Sequence, residues 1–241
     1  MKIYFLTKKK VYSSFVLILL LAVFIVFGYI NLNTTTFTAT TGTTEAIFQG
    51  NSGEKVVAIT VNVDWGEEFI PDMLKNFKSY DAKATFFVTG KWAEKNEDLL
   101  KEMQKDGHSI QNHGYKHLHF NNLGSDEIKS EIKKAEDIIY DKTGEKTTFF
   151  ASPYGEYNQR LVSAVTEMEY KFIMWSVDTI DWQKPNPETI IKRVMNKVHN
   201  DAIILMHPTD PTVKALPNLL KQLKDQGYKM MTIDKIVLDE K

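Results

Sequence analysis

Two histidines four residues apart, His113 and His117, lie in Gln111-Asn112-His113-Gly114-Tyr115-Lys116-His117, just after a short apolar run. On a helix this spacing puts both imidazoles on one face, and in a turn it still lets them converge on one ion. Taken alone, such a pair is more often two surface histidines than a metal site. The chain has no cysteine, so disulfides and thiolate sites are excluded and any metal must rest on histidine and carboxylate. Whether the pair is functional depends on what else the chain brings to the same place.

The elements that must position these residues are legible as alternation. A chain of 241 residues with 43% hydrophobic content can bury one sizeable core. From Lys55 onward, strand-like runs (56–63, 84–89, 109–111, 147–151, 172–177, 202–206, 229–233) alternate with amphipathic helical stretches. The helices are expected over 69–80, 98–105, from Ser125 as N-cap with Ile128, Ile132, Ala135 and Ile139 on one face, and over 160–169, 187–198 and 216–226. Seven strands alternating with helices predict an α/β fold, a distorted (β/α) barrel of about seven parallel strands; an open doubly wound sheet is the alternative. In both, function collects where strands end.

At those ends the polar residues become orderly. Strand one runs out in Asn62-Val63-Asp64-Trp65-Gly66, the third in Asn112-His113 and then His117, and the fourth in Pro153-Tyr154-Gly155. The fifth ends in Asp178-Thr179-Ile180-Asp181-Trp182 and the sixth in His207-Pro208. Two histidines and a carboxylate with an open position form a common catalytic metal set.

In these motifs, residues 55–237 resemble a polysaccharide deacetylase domain of carbohydrate esterase family 4, and are especially similar to its Gram-positive, sporulation-associated branch. The resemblance rests on His113-x-x-x-His117, Pro153-Tyr154-Gly155, Asp178-Thr179-Ile180-Asp181-Trp182 and Leu205-Met206-His207, in that order. It implies a divalent ion, often zinc, held by one Asp and two His, and removal of N-acetyl groups from amino-sugar polymers such as peptidoglycan or chitin. Carried over by position, His113 and His117 are metal ligands, His207 is the general acid oriented by Asp181, and the backbone N–H near Tyr154 helps to bind the oxyanion. Trp65, Trp182 and Tyr154 would form a sugar-stacking wall.

The first motif departs from the family pattern. Where Thr-Phe-Asp-Asp is usual, this chain has Thr60-Val61-Asn62-Val63, and where the third motif usually begins with Arg it has Ala151. An amide takes no proton at neutral pH. Base and partner are missing together, which is self-consistent, since an Arg without its carboxylate would be a costly buried charge. Asp64, two residues past Asn62 and on the same side of an extended chain, is the candidate replacement as third ligand or base. Glu67 and Glu68 read as solvated loop carboxylates, His108, His119 and His199 as structural, and Trp175 as core. Asp178 is open between substrate contact and bracing its loop.

The N-terminus gives a location. Lys8-Lys9-Lys10 precede an uninterrupted apolar run from Phe15 to Ile30, and no Lys or Arg follows until Lys55. The expectation is a basic cytoplasmic segment (1–10), a single membrane anchor (11–30), a Thr-rich linker (31–54) and an extracytoplasmic domain (55–241); a cleaved signal peptide is the rival. A net charge of −1 leaves no field for nucleic acid. The function expected is a metal-dependent hydrolase of acetylated cell-wall glycan, the alternative a catalytically impaired glycan-binding member of the same fold.

Overall fold

The computed structural model describes residues 45–238. Its strands are β1 (Val56–Val63), β2 (Ala84–Val88), β3 (Ser109–Asn112), β4 (Phe149–Ala151), β5 (Lys171–Ile173), β6 (Val177–Asp178), β7 (Ala202–Met206) and β8 (Lys229–Met231). Between and after them run α1 (Ile70–Ser79), α2 (Gly90–Ala93), α3 (Glu97–Lys105), α4 (Ser125–Thr143), α5 (Gln159–Thr166), α6 (Pro187–Met195), α7 (Asp210–Asp225) and α8 (Ile233–Ile236). The expected membrane anchor over 11–30 lies outside the described residues. Among the described ones no helix is long and apolar enough to cross a membrane.

Every strand pairing is parallel, and seven strands follow one path, β5-β4-β3-β2-β1-β7-β6. β8 pairs with the first half of β1, on the edge that β2 takes over from Ile59 onward. All eight residues of β1 are buried, as expected of a parallel strand covered on both faces. Val57, Ile59, Val61 and Val63 pack outward against the helices. Val56 and Ala58 point the other way, into a small inner core with Phe87, Phe149, Ala151 and Ile203. The two-residue period puts Thr60 and Asn62 on that inner face as well.

The barrel is distorted at one identifiable place. The expected single strand 172–177 is two, because the chain changes partners at Met174–Ser176: β5 pairs with β4, whereas the Ser176 N–H already donates to the Ile203 carbonyl of β7 (3.1 Å). β5 and β6 thus end the sheet on opposite sides. Ile47 lies across the break, donating to Phe172 O (2.8 Å) and accepting from Met174 N–H (2.7 Å), while Gln49 bridges to Ala202. An open edge is covered in this way. Trp175, expected in a strand, lies half-buried in the break, against Gly155.

Two helix starts differ from expectation. Gly124, not Ser125, precedes α4 as cap, and Glu127 accepts its N–H (3.0 Å). α7 begins at Asp210, well before Leu216, because Pro211 sits in its first turn, where no intrahelical N–H is needed, and Thr209 caps it by accepting the Thr212 N–H (3.2 Å).

Candidate active site

Asp64 is the first residue past β1. Its Oδ1 accepts from the Thr89 hydroxyl (2.8 Å), and the same hydroxyl accepts the Trp92 N–H (3.3 Å) to cap α2. Two residues on, Gly66 (φ +84) runs so close to Pro208 that a β-carbon would collide with its carbonyl, and only glycine permits that approach with that backbone. The loops after β1 and β7 are thereby held together. The Trp65 ring lies parallel to that of His207, centroids 6.3 Å apart and 6° from coplanar.

β3 delivers the histidine pair. Asn112 locks the turn, donating to Ile132 O (2.9 Å) and accepting from Gly114 N–H (2.8 Å). His113 is buried, with Nδ1 2.7 Å from the Ala151 carbonyl, so Nδ1 carries the proton and Nε2 keeps its lone pair. Burial first, then the nearby His117, push His113 down to about 3; it is a neutral donor at physiological pH. The His117 ring stands 5.2 Å from that of His113. Burial lowers its pKa, against the opposing pull of the Asp64 carboxylate and with a further push from His207, which places all three groups within one electrostatic neighbourhood.

The last pair is tightly built. His207 Nδ1 is 2.8 Å from Asp181 Oδ1, the His207 N–H donates to Oδ2 (2.7 Å), and the Thr212 hydroxyl donates to Oδ2 as well (2.6 Å). Asp181 is fully buried. Its two oxygens are thus held by three donors, which fixes the imidazole with Nε2 as the atom free to give or take a proton. The Arg193 guanidinium donates to the carbonyls of Thr179 (2.8 Å) and Ile180 (3.3 Å), and Asp178 Oδ1 accepts the Ile180 N–H (2.7 Å). Asp178 therefore braces the loop. Thr89, Arg193 and Thr212 were not singled out in the sequence; Thr89 before Gly90 and Thr212 after Pro211 offered a helix-start signal, and Arg193, inside α6, offered none.

Tyr154 (φ +60) occupies a left-handed backbone position in the turn after β4, strained for a non-glycine residue. Its ring packs at 4.5 Å from His117 and 4.0 Å from His119, and its hydroxyl donates to His117 O (3.3 Å). His119 is tied to Glu156 (2.8 Å), and His199 to Ser176 (3.0 Å). His108 is buried behind β2, its Nδ1 accepting the Ala84 N–H (3.0 Å). His108 and His199 have structural partners away from the cleft, whereas His119, stacked on Tyr154, lies at its edge. Trp65, Tyr154 and Trp182 are exposed; Glu67 and Glu68 are exposed on the turn beyond Gly66.

Asn62 is the anomaly. It is 7% exposed, and its Oδ1 is buried with no hydrogen-bond partner, at a position where paired polar groups are the rule. Ala151 shares the inner face and offers no charge. The donor set fits a metal in part: His113 and His117 are neutral nitrogen donors, with Asp64 acting on His117. Among the described residues, though, no three His, Asp or Glu side chains are gathered closely enough to hold an ion.

The polysaccharide deacetylase family model matches residues 49–173. The chain is 40% identical to the uncharacterized protein YlxY of Bacillus subtilis over 80% of its length, and spans 60% of that relative. It is 33% identical to a peptidoglycan-N-acetylglucosamine deacetylase of Bacillus cereus, covering 77% of this chain and 70% of that one. It spans only 39% of the peptidoglycan-N-acetylglucosamine deacetylase PgdA of Listeria monocytogenes. Among solved structures, wild-type BA3943 of Bacillus anthracis, described as a CE4 family pseudoenzyme, superposes with a TM-score of 0.78 at 38% identity, over 81% of this chain and 69% of that one. A BA3943 mutant described as having restored enzymatic activity matches at 0.78 and 36%, over 81% and 72%. With the motifs standing at the ends of parallel strands and a family model matching more than half of its residues, this chain belongs to the polysaccharide deacetylase family, carbohydrate esterase family 4.

Proposed function

We propose that this protein binds N-acetylated amino-sugar glycan of the cell wall in the cleft between Trp65, Tyr154, Trp182 and His207, and that it turns the glycan over poorly because the cleft holds an acid without a base. The observation that carries this reading is Asn62: a buried amide, unpaired at Oδ1, occupies the position from which a proton would have to be taken. Its usual counter-charge is absent too, since position 151 is a buried alanine. Hydrolysis of an amide needs both activation of the attacking water and protonation of the departing nitrogen; here the residues for the second step are in order and those for the first are not. The description of a similar protein as a pseudoenzyme agrees with this reading.

The second reading is a metal-dependent deacetylase. The His207–Asp181–Thr212 arrangement favours it, because holding a sugar does not require an acid clamped by a buried carboxylate. In that case His113, His117 and Asp64 would hold a divalent ion, zinc being the expectation, which would polarise the acetyl carbonyl and acidify water. Localisation belongs to the same proposal: a membrane anchor over 11–30 would keep the domain outside the cell, next to its glycan.

Calorimetric titration of the full chain with N-acetylchitotetraose, followed by acetate determination in the same sample, separates the readings. Binding without acetate is expected, weakened by about 1–2 kcal/mol in Trp65→Ala and in Trp182→Ala as a stacking face is lost. Absence of binding would refute the proposal; metal-dependent acetate would favour the second reading.

A further inference from the structure

The cleft occupies the end of the barrel where strands finish. At the other end, where β2, β3 and β8 begin, lies a cavity of about 620 Å³ that none of the motifs touches. Lys83, Lys224, Lys229 and Lys235 line it with a single carboxylate, Asp81, and Tyr80, Tyr228 and Met230 supply its apolar surface. Lys55 stands over the Tyr228 ring (5.2 Å). The positive charge is only partly cancelled. Lys235 is paired with Asp234 (3.0 Å), and the neighbouring carboxylates of Asp106 and Asp225 are taken by Lys78 (3.0 Å) and Lys221 (2.5 Å). Lys83 donates to a neutral acceptor, the Asp106 carbonyl (2.6 Å). Lys55, Lys224 and Lys229 are exposed and make no ion pair among the described residues. Those four ammonium groups stand against two unpaired carboxylates, Asp81 and Glu54.

The path of the chain into the domain is a second, independent observation. The bridge from Ile47 to Ile173 is parallel, so the residues before Ile47 run towards the start of β5; the bridge from Gln49 to Ala202 is antiparallel and returns the chain to the start of β7. Both arms of this segment therefore leave at the base, and Phe48 at its tip meets Tyr157 in the loop after β4 (5.6 Å). An anchor over 11–30 would be joined to the base through residues 31–44, a length that reaches at most about 50 Å when fully extended.

We propose that the base of the barrel is a docking face for an anionic membrane surface, with the cavity taking the phosphodiester headgroup of a glycerophospholipid, and that docking holds the cleft pointing away from the bilayer. The inference rests on the anchored placement proposed above. Lys224 and Lys229 meet the phosphate in charge-assisted hydrogen bonds. Tyr80 and Tyr228 supply amphipathic rings of the kind favoured at the headgroup level.

The chain has no cysteine, so a single fluorescent reporter can be placed at Gln226→Cys, on the rim of the cavity, or at Glu68→Cys, beside the cleft. The full chain is reconstituted with phosphatidylcholine vesicles, with and without phosphatidylglycerol, and quenching by a nitroxide on the lipid headgroups is read. The reporter at position 226 is expected to be quenched at least about two-fold more strongly when the anionic lipid is present, an excess that shrinks as salt is raised. The reporter at position 68 shows no such excess, and Lys224→Gln/Lys229→Gln removes it at position 226. Equal quenching at position 226 in both lipids, the same excess at both positions, or an excess that survives the double substitution overturns the docking face. Flotation of the same samples reports the anchor separately. A chain that floats with both kinds of vesicle but shows no lipid-dependent quenching keeps the anchor and loses the docking face. One that floats with anionic vesicles alone, and no longer does so in the double variant, loses the anchor and keeps the docking face. Floating with neither overturns both.

Discussion

A carboxylate replaced by its amide changes little in shape and everything in proton chemistry. Asn62 keeps the volume of an aspartate on the inner face of β1 but cannot accept a proton, and Ala151 removes the cation that a buried aspartate there would need. Asp64 accepts from Thr89 and acts on His117, which sets it beside the histidine pair as the proposed third ligand. Elsewhere a buried histidine outside the cleft contributes to the response to acid. His108 is held down to about 4, chiefly by burial and secondarily by Lys83. Unfolding returns it to about 6.5, so the unfolded chain binds more protons between those values. The contribution of His108 is therefore fully present above pH 6.5 and is lost as pH falls towards 4, on the order of 3 kcal/mol in all. Urea unfolding at pH 7.0 and 4.5 should show that loss in the wild-type chain and a clearly smaller one in His108→Asn, which keeps an acceptor for the Ala84 N–H but cannot titrate. Equal acid sensitivity of the two chains would contradict the assignment.

The elements were legible in proportion to the strength of their periodicity. β1, β2 and β7 were plain as continuous apolar runs, because parallel strands are buried on both faces, and α4 was plain from its apolar stripe at Ile128, Ile132, Ala135 and Ile139. The split of 172–177 into β5 and β6 was not legible. Its cause is a change of hydrogen-bond partner at Met174–Ser176, and partner choice leaves no mark on a single apolar run. The early start of α7 was hidden for a different reason: Pro211 and Pro217 look like breakers, though the first falls where a helix tolerates proline. The candidate site was legible where side chains themselves carry the chemistry, as in His113, His117, Asp181 and His207. It was illegible where they only support, as in Thr89, Arg193 and Thr212. The role of Ile47 in covering the break between β5 and β7 likewise belongs to the tertiary structure, and residues 46–51 lie within the stretch read as linker. Ile47→Pro removes the N–H that donates to Phe172 and should cost about 1–3 kcal/mol in urea unfolding. An unchanged midpoint would mean that the segment adds nothing to the sheet.

At the scale of the whole molecule, the proposed arrangement is a glycan-binding domain outside the membrane, with residues 11–30 as its anchor. Cell fractionation should find the full chain with membranes, and protease added to intact protoplasts should digest the domain; recovery in the soluble cytoplasmic fraction would contradict that placement. The cleft is assembled from loops after β1, β3, β4, β6 and β7, so catalysis depends on the complete set rather than on any one residue, and in the proposed reading the missing base and the charge beside it limit turnover, with Asp64 as the proposed third metal ligand. Acetate release from N-acetylated chitooligosaccharide, compared between the wild-type chain and Asn62→Asp/Ala151→Arg with zinc or chelator present, tests this most directly. Release at the buffer level is expected from the wild-type chain and at least about 10²-fold more from the double variant, abolished by chelator. Metal-dependent release by the wild-type chain at the rate of the double variant would contradict it.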